Sequence, residues 1–165
     1  MPRVGVACSV FARRARLVSL RRVVLIRRAS PPALGLLSLP GGRLELGEAL
    51  AACARREARE ETGLAVDVEG ELGFCASDAI SEDFHYAVVH MLASVDVGAC
   101  AVAGRPPPAA GDDASEALWV DRAPGGDLDA REARGELVER TRAVLAAADA
   151  AWRARGYETT CEALW

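Results

Sequence analysis

The chain has 165 residues, 51% hydrophobic and 27% charged, with a formal net charge of −4. This is the make-up of one globular domain with a sizeable core, and it argues against a disordered or fibrous chain. No apolar run approaches the ~18 residues that cross a bilayer, so a helical membrane protein is excluded.

Five cysteines (Cys8, Cys53, Cys75, Cys100 and Cys161) form an odd set without a CxxC pair. They read as reduced thiols in the cytoplasm, acting as core fillers, not as a disulfide framework or zinc site. Residues 1–44 carry nine arginines and no acid, whereas residues 45–165 carry 11 arginines and all 24 acids. A basic lobe beside an acidic site suits an anionic substrate that needs a metal; the plainer reading is a set of strands without acids. The arginine-rich start also has the composition of an organelle transit peptide. Residues 4–11 nevertheless read as a strand the fold needs, so cytoplasmic residence is expected.

In chain order, residues 4–11 form an apolar, β-prone run and predict a buried strand. Residues 12–22 read as a basic connection, longer than a tight hairpin requires. A second strand at residues 23–26 leaves Arg27 and Arg28 at its end, before Ser30-Pro31-Pro32 breaks it. Residues 34–39 are apolar and lead into Pro40-Gly41-Gly42, a turn where backbone can come close to a ligand. A helix is expected over residues 47–62, packing a Leu50/Ala54/Ala58 stripe on a sheet, with Gly63 as its left-handed stop.

Partial alternation over residues 64–74 predicts a further strand with a turn near Glu69 and Gly70. Residues 84–95 give the strongest strand pattern, apolar on both faces as in a central strand. Residues 97–113 are loop-like, residues 116–120 a short strand, and residues 129–155 one long alanine-rich helix burying Leu137, Val144, Leu145 and Trp152. Domain organisation reads as a single domain over 1–155 with a tail at 156–165. The order predicts an α/β fold with a mixed sheet between helices.

The chemistry concentrates in residues 42–64, GRLELGEALAACARREAREETGL. Glu60 and Glu61 lie three and four positions after Glu57, so the three carboxylates share one helical face. Such like charges repel by a few tenths of a kcal/mol per pair (~0.2–0.5), and a divalent cation would turn that repulsion into ligation. The stretch fits GX5EX7REUXEEXGU, U being aliphatic, through Gly42, Glu48, Arg56, Glu57, Ala58, Glu60, Glu61, Gly63 and Leu64. It resembles the Nudix box. With the flanking segments at residues 27–48, 84–93 and 110–120, the likeness runs from about residue 2 to 121 and points to the ADP-ribose pyrophosphatase-like branch.

The resemblance implies the Nudix fold, an α/β/α sandwich. It also implies a Mg2+- or Mn2+-dependent hydrolase of a nucleoside diphosphate linked to another group, with ADP-ribose to AMP and ribose 5-phosphate as first expectation. A (d)NTP pyrophosphohydrolase and a non-catalytic Nudix-fold binding module are the alternatives; the module is disfavoured because every box acid is present. The implied partner is a small nucleotide. No nucleic acid is expected, there being no aromatic-rich stacking platform; no membrane is expected, and a homodimer fits the family pattern.

Carried over residue by residue, Glu57, Glu60 and Glu61 bind metal together with backbone at Gly41 and Gly42, Arg56 orients Glu57, and Glu48 braces the loop or ligates indirectly. The general base is either a box glutamate or a later acid among Asp112, Asp113 and Glu116, with Asp113 first. The candidate catalytic set is therefore Arg56, Glu57, Glu60 and Asp113. Arg27, Arg28 and Arg43 flank the turn and are candidates for holding phosphate or ribose. His85 and His90 are expected to be structural. Leu37 stands where this branch usually carries tryptophan, which is expected to alter packing behind the turn and not the chemistry.

Overall fold

Residues 3–28 form one long hairpin in the computed structural model, which describes residues 3–80, 82–96, 108–111 and 113–162. Strand β1 (Arg3–Arg14) turns at Ala15 and Arg16 into β2 (Leu17–Arg28). The basic connection expected at residues 12–22 is therefore strand. Ala15 makes the turn with a φ of +53°, without the glycine or asparagine that normally advertises it. Phe11 opposes Val23 but Ala12 opposes Ser19, so residues 20–22 bulge from the ladder, which hides the strand period.

The chain continues through β3 (Leu37–Ser38), β4 (Gly41–Arg43), α1 (Leu50–Thr62), β5 (Asp67–Val68), β6 (Cys75–Ile80), β7 (His85–Asp96), β8 (Ala114–Asp121), α2 (Asp127–Ala133), α3 (Thr141–Ala154) and β9 (Glu158–Thr160). β7 is central, as its two apolar faces predict: it runs parallel to β1 over the length of both and pairs β6 and β5 along its other edge. One face of the mixed sheet packs Phe11, Leu25, Leu37 and Leu92 against Leu145 and Trp152 of α3. The other packs Val6, Cys8, Val24, Met91 and Trp119 against Ala54 and Ala58 of α1. The α/β/α sandwich is what the sequence led us to expect.

Two C-terminal expectations are corrected. The single helix over residues 129–155 is two helices, because Gly135 takes a φ of +68° and the chain then returns to the sheet. There the Leu37 N–H donates to the Glu136 carbonyl at 2.7 Å and the Val138 N–H to the Leu37 carbonyl at 2.8 Å. Leu37, fully buried, thus helps seat this segment, while Val144, Leu145 and Trp152 are buried as expected. Residues 158–160, placed in a tail by the sequence, pair in parallel with β2 at Leu17, Val18 and Ser19.

The charge asymmetry is partly offset in three dimensions. Arg13 pairs with Asp67 at 2.7 Å, Arg21 with Asp121 at 2.8 Å and Arg27 with Glu116 at 2.9 Å, so these three hairpin arginines are balanced by acids from later strands. Cys8 and Cys53 are buried, Cys75 is half-buried and Cys161 exposed; Cys100 lies outside the described residues. Among the described residues, no helix is long and apolar enough to cross a membrane.

Candidate active site

The last two turns of α1 carry the acids, and burial separates them. Ala54 and Ala58 seat the helix on the sheet, Leu50 is half-buried, and Cys53, Glu57 and Glu61 join the inward face. Glu60 looks outward, its side chain 43% exposed against 11% for Glu57. Gly63 closes the helix at a φ of +68°, its N–H donating to the Arg59 carbonyl, as the sequence predicts. Two further carbonyls at this end, those of Thr62 and Glu61, accept from Ala109 N–H at 2.9 Å and Gly111 N–H at 3.3 Å. This cap brings the loop bearing Asp113 onto the acidic end of the helix. No residue pattern announced it.

Arg56 is the hub. Its guanidinium donates to both Glu48 carboxylate oxygens at 2.9 Å, to Glu57 at 2.7 Å, to Glu60 at 3.1 Å and to the Arg43 carbonyl at 3.2 Å. Such bidentate, charge-assisted contacts fix a carboxylate in direction as well as distance. They hold Glu48 at a pKa of about 2, the bonds to Arg56 being the main cause. Bracing by Glu48 is therefore a bond to Arg56.

The glycine turn closes around the two inner acids. A Cβ on Gly42 would stand 2.5 Å from Glu57 Oε1, so the carboxylate lies directly on the glycine Cα. The Gly41 N–H donates to Glu61 Oε2 at 2.8 Å. The Gly42 carbonyl, expected near the metal, lies beside Gly5 of β1, and at Gly41 the amide is the group bonded to an acid.

Burial raises the pKa of Glu57 despite Arg56. It lifts Glu61 to about 7, with Glu57 and Asp113 adding like charge and Gly41 and Arg28 opposing. Among the described residues, no three His, Cys, Asp or Glu side chains stand as a ready-made ion cage: Arg56 draws Glu57 and Glu60 while Gly41 holds Glu61. The donor set nonetheless fits a hard divalent cation, since it offers carboxylate oxygens, two of them buried beside one another with incomplete positive compensation.

A pH prediction follows from Glu61. Its ordinary pKa of 4.5 in the unfolded chain rises to about 7 in the fold, so between these values the folded state binds more protons. Stability is present below about 4.5 and is lost as pH rises towards 7, by roughly 3 kcal/mol from this group. Urea unfolding of the metal-free protein should show that decline between pH 5 and 7.5, and Glu61→Gln should remove most of it. An equal decline in the variant would contradict the assignment.

The remaining candidates divide. Asp113 is exposed, and its carbonyl accepts the Ala29 N–H at 2.8 Å; its charge acts on Glu61. Glu116 is committed to Arg27 on the neighbouring strand, and Asp112 lies outside the described residues. Arg27 also donates to the Gly35 carbonyl at 2.8 Å and Arg28 to the Pro32 carbonyl at 2.7 Å, so both tie down the loop at residues 29–36. Arg43 is exposed next to the turn.

The histidines read as structural. His85 contacts Asp78 at 3.0 Å, and His90 is buried against the Ser77 hydroxyl at 2.8 Å. Desolvation pushes the His90 pKa down to about 4, keeping it neutral.

A family model, the NUDIX domain, matches residues 1–141 of this chain. The chain belongs to the NUDIX family. The NUDIX chain is 36% identical over 100 residues to an ADP-ribose pyrophosphatase of Methanocaldococcus jannaschii, a match covering 61% of this chain and 54% of that protein. It thus spans about half the length of that curated relative.

Among solved structures it resembles a bifunctional NMN adenylyltransferase/ADP ribose pyrophosphatase of Francisella tularensis, complexed with AMP and a Mn ion. That likeness has a TM-score of 0.66 at 19% identity, over 92% of this chain and 42% of the other. It also resembles the NUDIX domain of Shewanella oneidensis NrtR complexed with ADP ribose. There the TM-score is 0.63 at 16% identity, over 92% and 88% of the two chains. At these identities the two structures speak for the NUDIX fold.

Proposed function

We propose that this NUDIX protein is a Mg2+- or Mn2+-dependent pyrophosphohydrolase of nucleoside diphosphate derivatives, with ADP-ribose the favoured substrate and AMP and ribose 5-phosphate the products. The observation that carries the reading is the pair of buried carboxylates, Glu57 and Glu61, set against the Gly41–Gly42 turn with Arg56 bracketing the outer side. Buried like charges cost stability unless compensated, and a site that accepts this cost is suited to a cation and a polyanion together. The Methanocaldococcus relative supports ADP-ribose as the substrate.

Glu57, Glu60 and Glu61 would hold the cation. When bound, it supplies neutralisation of pyrophosphate charge and a lowered pKa for a coordinated water. Arg56 keeps Glu57 and Glu48 in fixed directions. Asp113, exposed and acting on Glu61 through its charge, would take the proton of the attacking water. Water attacks one phosphorus, the bridging oxygen leaves with the other phosphate, and the water proton passes to a carboxylate. Arg43, exposed next to the turn, would meet the phosphates.

Turnover of ADP-ribose, NADH, dinucleoside polyphosphates and normal and oxidised dNTPs, with and without Mg2+, tests the reading. Metal-dependent release of AMP and ribose 5-phosphate from ADP-ribose is expected to dominate. Absence of turnover across the panel would sink the hydrolase reading, and preference for dNTPs would move the substrate.

A further inference from the structure

The end of α1 is finished by a distant segment of the chain. The Gly63 N–H takes the Arg59 carbonyl, while the Leu64 N–H turns to the Thr62 hydroxyl at 3.2 Å. The carbonyls of Glu61 and Thr62 accept from Gly111 and Ala109, because helix-end carbonyls need partners from outside the helix. The Glu60 carbonyl faces the Gly111 Cα, and a Cβ built there would stand 2.5 Å from that oxygen. The φ of Gly111 is not in the left-handed region, so what this position demands is space and not backbone freedom.

The contact reaches Asp113 in one step. The Ala114 N–H donates to the Gly111 carbonyl at 3.0 Å, closing a turn that carries Asp113, and the Asp113 carbonyl accepts the Ala29 N–H at 2.8 Å. Asp113 therefore hangs between two anchors, the backbone of Glu60 and Glu61 on one side and the end of β2 on the other. Being exposed, it owes its place to these anchors and not to packing of its own side chain. A methyl group on Gly111 would need roughly 1 Å more room, since ordinary contact begins at 3.4 Å. The obstructing oxygen belongs to the helix that carries the acids, so the loop is the part that yields. A displacement of about 1 Å in a positioning group is enough for a ~10²-fold loss of rate.

We propose that Gly111 is the positioning residue for Asp113: its bare Cα lets the loop lie on the Glu60 carbonyl and so holds Asp113 at the acidic end of α1. The use made of Asp113 rests on the hydrolase reading, whereas the hold itself is tested by amide hydrogen exchange without turnover. In wild-type protein the Ala109 and Gly111 amides should exchange at least about tenfold more slowly than free peptide amides. Gly111→Ala should release Ala109 from this protection, and Asp113→Asn should not. For ADP-ribose, Gly111→Ala should lower kcat roughly 10- to 100-fold with KM within about threefold. In the Asp113→Asn background the same substitution should cost less than about twofold, because the group it displaces is already disabled. Should Gly111→Ala fail to fold, Ala109→Pro removes the N–H that reaches Thr62 and should show the same dependence on Asp113.

Full kcat in Gly111→Ala, or a penalty as large in Asp113→Asn as in wild type, overturns the positioning role and leaves the hydrolase standing. Unprotected amides at Ala109 and Gly111 in wild type overturn it as well. Protection that Gly111→Ala releases, in a protein that hydrolyses none of the panel, sinks the hydrolase reading and upholds the hold of Gly111 on the loop.

Discussion

Glu60→Gln is expected to lower Mg2+-dependent turnover by on the order of 10²–10³-fold, the range seen when one group that stabilises developing charge is removed, while leaving the fold intact. The second half gives the test its force. Glu60 is half-exposed, and its bond to Arg56, at 3.1 Å, is the longest of those Arg56 makes to the three carboxylates. An exposed i,i+4 pair contributes only about 0.3–0.5 kcal/mol. A thermal midpoint within a degree or two of wild type, together with a collapse of kcat, would mean that the carboxylate is there for the reaction. Glu57→Gln is a less clean test, because it also removes the partner of the 2.7 Å bond from Arg56. Near-normal metal-dependent turnover in Glu60→Gln would overturn the assignment of the α1 acids.

How much of this was legible in the sequence varies with the kind of interaction. The helix and its acids were readable because both depend on short range: the 3.6-residue period puts Ala54, Ala58, Glu57 and Glu61 on related faces, and Gly63 ends the helix by its own backbone freedom. The central strand was readable because burial on both faces leaves an unbroken apolar run. The β1–β2 hairpin was missed because Ala15 turns the chain without glycine and a bulge interrupts the alternation. β6, CASDAI, was missed because an edge strand needs little apolar content and only Ile80 is β-branched.

The long C-terminal helix was overpredicted for a related reason. Alanine-rich sequence favours helix everywhere, and the break comes from Gly135 at a φ of +68° together with the pairing of residues 136–138 with Leu37, a tertiary contact. Within the site, the spacing named the acids but not their bonding. That Arg56 would bind Glu48 across eight positions as firmly as its neighbour Glu57, or that Arg27 would be consumed by Glu116, depends on strand register and loop closure.

Gly42→Ala provides the second large effect, and comparison with Gly41→Ala separates chemistry from stability. At Gly41 a methyl group would meet the Val6 carbonyl oxygen at 2.3 Å and the Ala7 Cα at 2.5 Å. Both belong to the backbone of β1, which cannot yield without disturbing its pairing with β7, so overpacking of about 1–3 kcal/mol or more is expected there. At Gly42 the three atoms nearest the methyl group all belong to the end of a side chain, the Glu57 carboxylate at 2.5–2.6 Å. The carboxylate can swing away, but the 2.7 Å bond to Arg56 and its place above the turn are then lost together.

A displacement of about 1 Å in a positioning group is enough for a 10²-fold loss of rate. Gly42→Ala should therefore lose less stability than Gly41→Ala while losing about 100-fold in kcat, whereas Gly41→Ala should lose stability first. Full activity in Gly42→Ala would mean that the contact between Glu57 and the turn is incidental. The expected split would identify the first glycine of the motif as a space kept open for a carboxylate, a requirement of close approach and not of backbone flexibility.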